Sequence, residues 1–150
     1  MSVKDPPHNI RMGGGITAQI NKVGGLIKKH GLMGRAISYT GQKKGWKVYL
    51  DKNMPLKDYA NTLSHESIHL ADTKHKLGLS ESQVESVTNT LMDGLRKYSH
   101  WSSIKNYLQD HNSGITNRQL SGIIASYKAI LEKNPRYRRL IRRYASGESK

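Results

Sequence analysis

The sequence predicts an α+β chain that is mostly helical, with a small β-hairpin or sheet ahead of a run of helices. From Leu56 onward, apolar residues recur at three- and four-residue intervals, the period of a helix with one buried face. Between Trp46 and Asp51 the pattern is instead an alternation. Trp46, Val48 and Leu50 fall on one side and Lys47, Tyr49 and Asp51 on the other, the period of a strand. Glycine and proline punctuate the chain at Gly41, Gly45, Pro55, Gly114 and Pro135, so the periodic runs are separate elements.

Taken in order, residues 1–15 read as a flexible arm, because Pro6-Pro7 and Gly13-Gly14-Gly15 oppose regular structure. Ile16, Ile20, Val23 and Ile27 have helical spacing and predict a first helix over Ile16–His30, weakened by Gly24-Gly25 at about 1 kcal/mol per glycine. Arg35–Thr40 and Trp46–Asp51 read as two strands joined by a loop with glycine at both ends. Leu56–Thr73 is the next helix. Ser80 and Gln83 form a capping box that starts another at Glu81, with Val84, Val87, Leu91, Leu95 and Tyr98 as its apolar stripe. Trp101–Asp110 is a short helix. Thr116–Lys133 carries the clearest stripe, Leu120, Ile123, Ile124, Tyr127, Ile130 and Leu131. Asn134-Pro135 ends it and opens a basic C-terminal helix and tail over residues 134–150.

At 150 residues the chain is expected to form a single domain. It has no cysteine, which excludes disulfides and thiolate metal sites. The N-terminus shows no apolar signal-peptide core, and no apolar run is long enough to span a bilayer. The net charge is +14 and unevenly spread. Residues 1–50 hold 9 Lys/Arg against 1 Asp/Glu, residues 51–100 hold 6 against 7, and residues 101–150 hold 10 against 3. Acid is thus gathered in the middle and base in the flanks, a balance suited to nucleic acid, acidic proteins or an anionic surface.

The acidic middle contains His65-Glu66-Ser67-Ile68-His69, the His-Glu-x-x-His spacing. At 100° per residue the helix sorts into two faces. Tyr59, Ala60, Leu63, Leu70 and Ala71 form one, and Thr62, His65, Glu66, His69 and Asp72 the other. Side chains at i and i+4 are neighbours, so His65 and His69 can reach one ion without backbone distortion. Zinc takes about four ligands at roughly 2 Å, and a catalytic zinc keeps one position open. Glu66 stands beside such an ion and can take a proton from water bound to it, whose pKa falls to about 7. The expected cofactor is one Zn2+ per chain. Three residues downstream are candidates for the third ligand. Glu81 lies in the first turn of the next helix, Glu85 one turn on along the same face, and His75 gives a His-x3-His-x5-His spacing. A ligand plus a carboxylate that orients a zinc histidine would suit the Glu81–Glu85 pair. Asp72, one turn beyond His69, is a second candidate for such support.

His65-Glu66-x-x-His69 followed by a helix-borne Glu81-x-x-x-Glu85 resembles the gluzincin class of zinc metallopeptidases. The run Trp46–Asp51, Pro55, Thr62–Asp72, Gly78-Leu79-Ser80-Glu81 and Val84 is similar to small phage-type and ImmA/IrrE-like metallopeptidases. The resemblance covers residues 46–98. It implies a zincin-like domain with the small sheet beside the His-Glu-x-x-His helix. It also implies Glu81 as third ligand, Glu85 as support and a strand edge that receives an extended protein or peptide substrate. Glu85 and then His75 rank behind Glu81 as ligand. The metzincin pattern fits His75 but has glycine where this chain has Asp72, and no methionine turn is visible.

The function implied is zinc-dependent hydrolysis of peptide bonds with Glu66 as general base, and His75, Tyr98 or His100 as candidate donors to the oxyanion. The expected setting is the cytoplasm of a bacterial or phage-infected cell, with the virion as the other location. A different class is carried by the basic flanks: a nucleic-acid-associated or phage structural protein whose zinc site is structural or vestigial, closed by a fourth ligand such as His75. In the last helix Arg136, Arg138, Arg139, Arg142 and Arg143 surround Tyr137 and Tyr144. Arginine forks can grip phosphates and tyrosines can stack on bases, without sequence preference and with strong salt dependence.

Overall fold

The structure is a computed structural model that describes residues 55–147 with their side chains and, before them, the backbone of four strands. The part described with side chains is helical: α1 (Leu56–His75), α2 (Glu81–Lys97), α3 (Trp101–His111), α4 (Asn117–Lys133) and α5 (Pro135–Ala145). Three of these helices start where their local chemistry starts them. Ser80 caps α2 and Thr116 caps α4, both through complete capping boxes with Gln83 and Gln119. Pro135 opens α5, where a missing N–H costs nothing.

All five helices turn their apolar stripes into one core. Leu56, Leu63 and Ile68 of α1 join Val84, Val87 and Leu91 of α2, with Leu120, Tyr127 and Tyr137 from α4 and α5. Tyr59, Tyr127 and Tyr137 are among its largest fully buried side chains and take the volume that phenylalanine fills elsewhere. No helix among the described residues is long and apolar enough to cross a membrane.

The strands are β1 (Asn9–Gly13), β2 (Ile16–Val23), β3 (Gly34–Ser38) and β4 (Gly45–Asp51), in the order β1-β2-β4-β3. β2 runs parallel to β4, and β1 and β3 are antiparallel edges. Residues 41–44 of the expected hairpin loop lie outside the described residues, as do residues 24–30 of the expected first helix.

Two expectations are corrected here. Ile16–Val23 is a strand rather than the start of a helix. The separation of Ile16 from Ile20 fits a period of two as well as 3.6, and Ile16, Thr17, Ile20 and Val23 are β-branched. Pairing on both sides, to β1 and β4, decides the choice. Asn9–Gly13, expected within an irregular arm, forms β1 by antiparallel pairing with β2.

Candidate metal centre

His65 and His69 stand one turn apart on α1, on the side away from the core. Their Nε2 atoms are 3.1 Å apart, and the rings meet edge to face with centroids 4.7 Å apart. Glu81, the first residue of α2, reaches both. Its Oε1 lies 3.0 Å from His65 Nε2 and its Oε2 2.9 Å from His69 Nε2. The donor atoms of these three residues lie within 4.8 Å of one another and could hold a metal ion. Two imidazole nitrogens and a carboxylate are a donor set that zinc accepts. A tetrahedron with bonds of 2.0–2.2 Å has edges of about 3.4 Å, so the two histidine nitrogens, 3.1 Å apart, match one edge after opening by a few tenths of an ångström, and the Glu81 carboxylate offers an oxygen to each.

The electrostatics favour the ligand form of the first histidine. Burial, and then the neighbouring His69, hold the His65 imidazole below its ordinary value, while Glu81 and Glu85 pull the other way. A neutral imidazole is the form that binds a cation. Glu66 faces inward beside the group. Its Oε2 is buried and has no hydrogen-bond partner among the described residues. Burial, aided by the negative charge of Glu81, pushes the Glu66 carboxyl up to about 7.

Glu81 reaches the histidines because the connection from α1 is tightly specified. Lys76 closes α1 in the left-handed region, and the Leu77 N–H donates to Asp72 O at 3.1 Å. Gly78 has φ +70°, a value that favours glycine. The Leu79 N–H donates to Asp72 Oδ1 at 3.1 Å. From the other side, Gln119 Nε2 donates to Leu77 O at 2.8 Å, and Gln83 Nε2 donates to Gly114 O at 3.4 Å. The starts of α2 and α4 are therefore stitched to each other's approaching loops.

The remaining candidates fall differently. Asp72 supports the loop that carries Glu81 rather than a histidine. Glu85 is exposed one turn beyond Glu81, outside the donor group, and acts on His65 only through its charge. His75, the last residue of α1, is exposed and also outside the group. Tyr98 and His100 are poor oxyanion donors, because they follow the far end of α2, about 25 Å along a helix of 17 residues. In α5, Arg136, Arg139 and Arg142 are exposed, and Arg138 and Arg143 are partly buried. Tyr137 and Tyr144 lie in the core, so neither can stack on a base.

Two serine–tyrosine contacts hold the back of α1, and neither was expected from the sequence. Ser64 Oγ and Tyr127 Oη are 2.8 Å apart, and Ser67 Oγ and Tyr137 Oη 3.0 Å. Both serines are buried within the apolar side of the helix, and they fix its rotation behind the histidines. Two serines on a core stripe, in a chain whose large side chains are tyrosines, are the signal that could have revealed them.

Compared with known proteins, the chain matches no protein-family model, no curated protein and no solved structure.

Proposed function

We propose that this protein is a zinc-dependent metallopeptidase that cleaves peptide bonds of a protein or peptide substrate. The observation that carries the reading is the convergence of His65 Nε2, His69 Nε2 and the Glu81 carboxylate at 2.9–3.1 Å, with the partly buried Glu66 carboxyl alongside. His65, His69 and Glu81 would hold the ion. A bound zinc supplies Lewis acidity, drawing electron density from the scissile carbonyl and acidifying the attacking water.

Glu66 moves the proton. An ordinary glutamate is too weak a base to remove a proton from water near neutral pH. A carboxyl raised to about 7 is matched to the task, taking the proton as water attacks and giving it to the leaving amide nitrogen. Asp72 holds the loop that fixes Glu81. The serine–tyrosine pairs hold α1 from behind, so its histidines meet Glu81 without a search. His75, the fourth donor that a closed structural site would use, lies outside the donor group, which favours a site with an open position.

The test is metal content followed by cleavage. Protein purified without chelator should carry about one zinc per chain. Glu81→Ala should lose it, and Glu66→Gln should keep it while peptide cleavage falls by at least about a hundredfold. Full cleavage by Glu66→Gln would overturn the reading.

A further inference from the structure

A second feature lies at the opposite end of α2 from Glu81. The last turn of α2 and the start of α3 face α4 and α5 across a cavity of about 650 Å³. That is the size of a small-molecule site. Leu95, Ile104, Leu131 and Ile141 give it an apolar floor. Its charge is one-sided: Lys128, Arg138 and Arg142 line it, joined by Arg96 and Lys97, while Glu132 is the only carboxylate lining it among the described residues.

The cations are not equivalent. Arg96 donates from Nε to Tyr144 O at 3.2 Å, and Lys97 is held by Tyr107 and Asp93. Lys128, Arg138 and Arg142 form no ion pair among the described residues. Arg138 is the most telling, since its Nε is buried with no hydrogen-bond partner among them. A buried, unpaired guanidinium nitrogen is costly unless an acceptor arrives. Arg138 and Arg142 are one turn apart on α5, and Lys128 faces them from α4, so the three can converge on one anion.

The cavity also presents aromatic surface. Tyr98 is 41% exposed, the only large apolar side chain so exposed among the described residues. Trp101 is partly buried, with Lys128 Nζ 5.9 Å from its ring centroid. Aromatic faces beside arginine forks complement a flat heterocycle joined to phosphate. A lone carboxylate brings one charge, whereas a phosphate brings up to about two and three acceptor oxygens to match Lys128, Arg138 and Arg142, which form no ion pair among the described residues.

We propose that this cavity binds a nucleotide unit, with its base against Tyr98 and Trp101 and its phosphate on Lys128, Arg138 and Arg142. The site is separate from the histidine–glutamate group and does not rest on the hydrolase reading. It also moves the phosphate grip from the arginine helix as a whole to two of its arginines.

The test uses the full chain, a short fluorescein-labelled oligothymidylate and AMP, read by fluorescence anisotropy at low salt. Tyr98→Ala should weaken oligothymidylate binding about tenfold. The Arg138→Gln/Arg142→Gln double variant should weaken it by at least as much. Arg136→Gln/Arg139→Gln removes the same charge from residues that do not line the cavity, and should change affinity by less than about threefold. AMP should compete. If AMP alone binds as tightly as the oligomer, the source is a free nucleotide; if the oligomer binds more tightly while AMP still displaces it, the source is a single strand. Equal losses from the two arginine pairs would mean diffuse polyanion binding and would overturn the proposal. So would failure of AMP to compete, absence of binding, or phosphatidylglycerol vesicles that displace the oligomer through the same residues. If the Arg138→Gln/Arg142→Gln variant loses its helical circular dichroism, the exposed Tyr98→Ala and Arg142→Gln single variants decide the same question.

Discussion

Asp72 Oδ1 accepts a hydrogen bond from the Leu79 N–H at 3.1 Å, joining the last turns of α1 to the residue two before Glu81. The carboxylate thus acts on the histidine–glutamate group through the backbone, by fixing where α2 begins. Asp72→Ala should cost about 1 kcal/mol in stability. It should weaken zinc binding roughly tenfold, the usual effect of losing support behind a ligand. Urea denaturation and competition with a chromogenic chelator measure the two effects. Unchanged zinc affinity would show that the capping box alone positions Glu81.

Gly78 gives a second handle on the same loop. Its φ is +70°, and a Cβ there would meet nothing within 4 Å. Gly78→Ala therefore meets no steric contact, and its cost is that of holding an L-residue in the left-handed region, about 1 kcal/mol. A melting temperature equal to that of the wild type would mean that the loop adopts another backbone path.

Glu66 makes the metal-free protein pH-dependent. Its ordinary value of 4.5 is raised by folding to about 7. Below 4.5 both folded and unfolded chains are protonated and Glu66 costs nothing. Between the two values the unfolded chain releases a proton that the folded chain keeps, so the penalty grows with pH and levels off above about 7. In chelator, Glu66→Gln should therefore stabilise the protein by roughly 1–3 kcal/mol at pH 8 and by nothing at pH 4. A gain of the same size at both pH values would contradict the burial of this carboxyl.

Behind the histidines, Ser67→Ala removes one of the hydrogen-bond partners of the buried Tyr137 hydroxyl, which keeps Ser64 and Tyr127, and should cost about 1 kcal/mol. The double variant Ser67→Ala/Tyr137→Phe should lose less than the sum of its parts, because both ends of the pair are gone. Strict additivity in denaturant titrations would show that the two hydroxyls do not interact.

The tyrosine core predicts an alkaline limit. Burial holds the Tyr127 and Tyr137 hydroxyls above their ordinary value of 10.0. Stability is unaffected below about pH 10 and falls above it, as the unfolded chain ionises groups that the folded chain keeps neutral. Phenolate absorbance should then rise for these residues together with loss of helical circular dichroism. A smooth titration of all tyrosines in a folded chain would exclude the packing described.

Much of the helical part was legible because its signals are local. The i, i+4 spacing of His65 and His69, the capping box at Ser80 and the Asn134-Pro135 break each depend on a few neighbouring residues, and each fell where expected. Glu81 was legible as the first turn of a new helix. What could not be read was tertiary. Ser64 and Ser67 look like breaks in an apolar stripe until Tyr127 and Tyr137 arrive from helices more than sixty residues away. Asp72 sits on the histidine face by helical arithmetic, yet its carboxylate turns to a backbone N–H after the helix ends. Ile16–Val23 has a spacing that two periods share, and only its strand neighbours choose between them. Tyr98 and His100 seemed near the site in sequence, but a helix of 17 residues carries them away from it.

The reciprocal stitch between the two capping boxes bears on how quickly an ion can be taken up. Leu77 O is held by Gln119 and Gly114 O by Gln83, so the loop before Glu81 is set by protein contacts alone. Loading should then be a single encounter-limited phase whose rate rises linearly with zinc concentration, with no slow conformational step behind it. Where binding must first organise the chain, the rate would level off at high zinc. Cutting the stitch with Gln119→Ala should introduce that plateau.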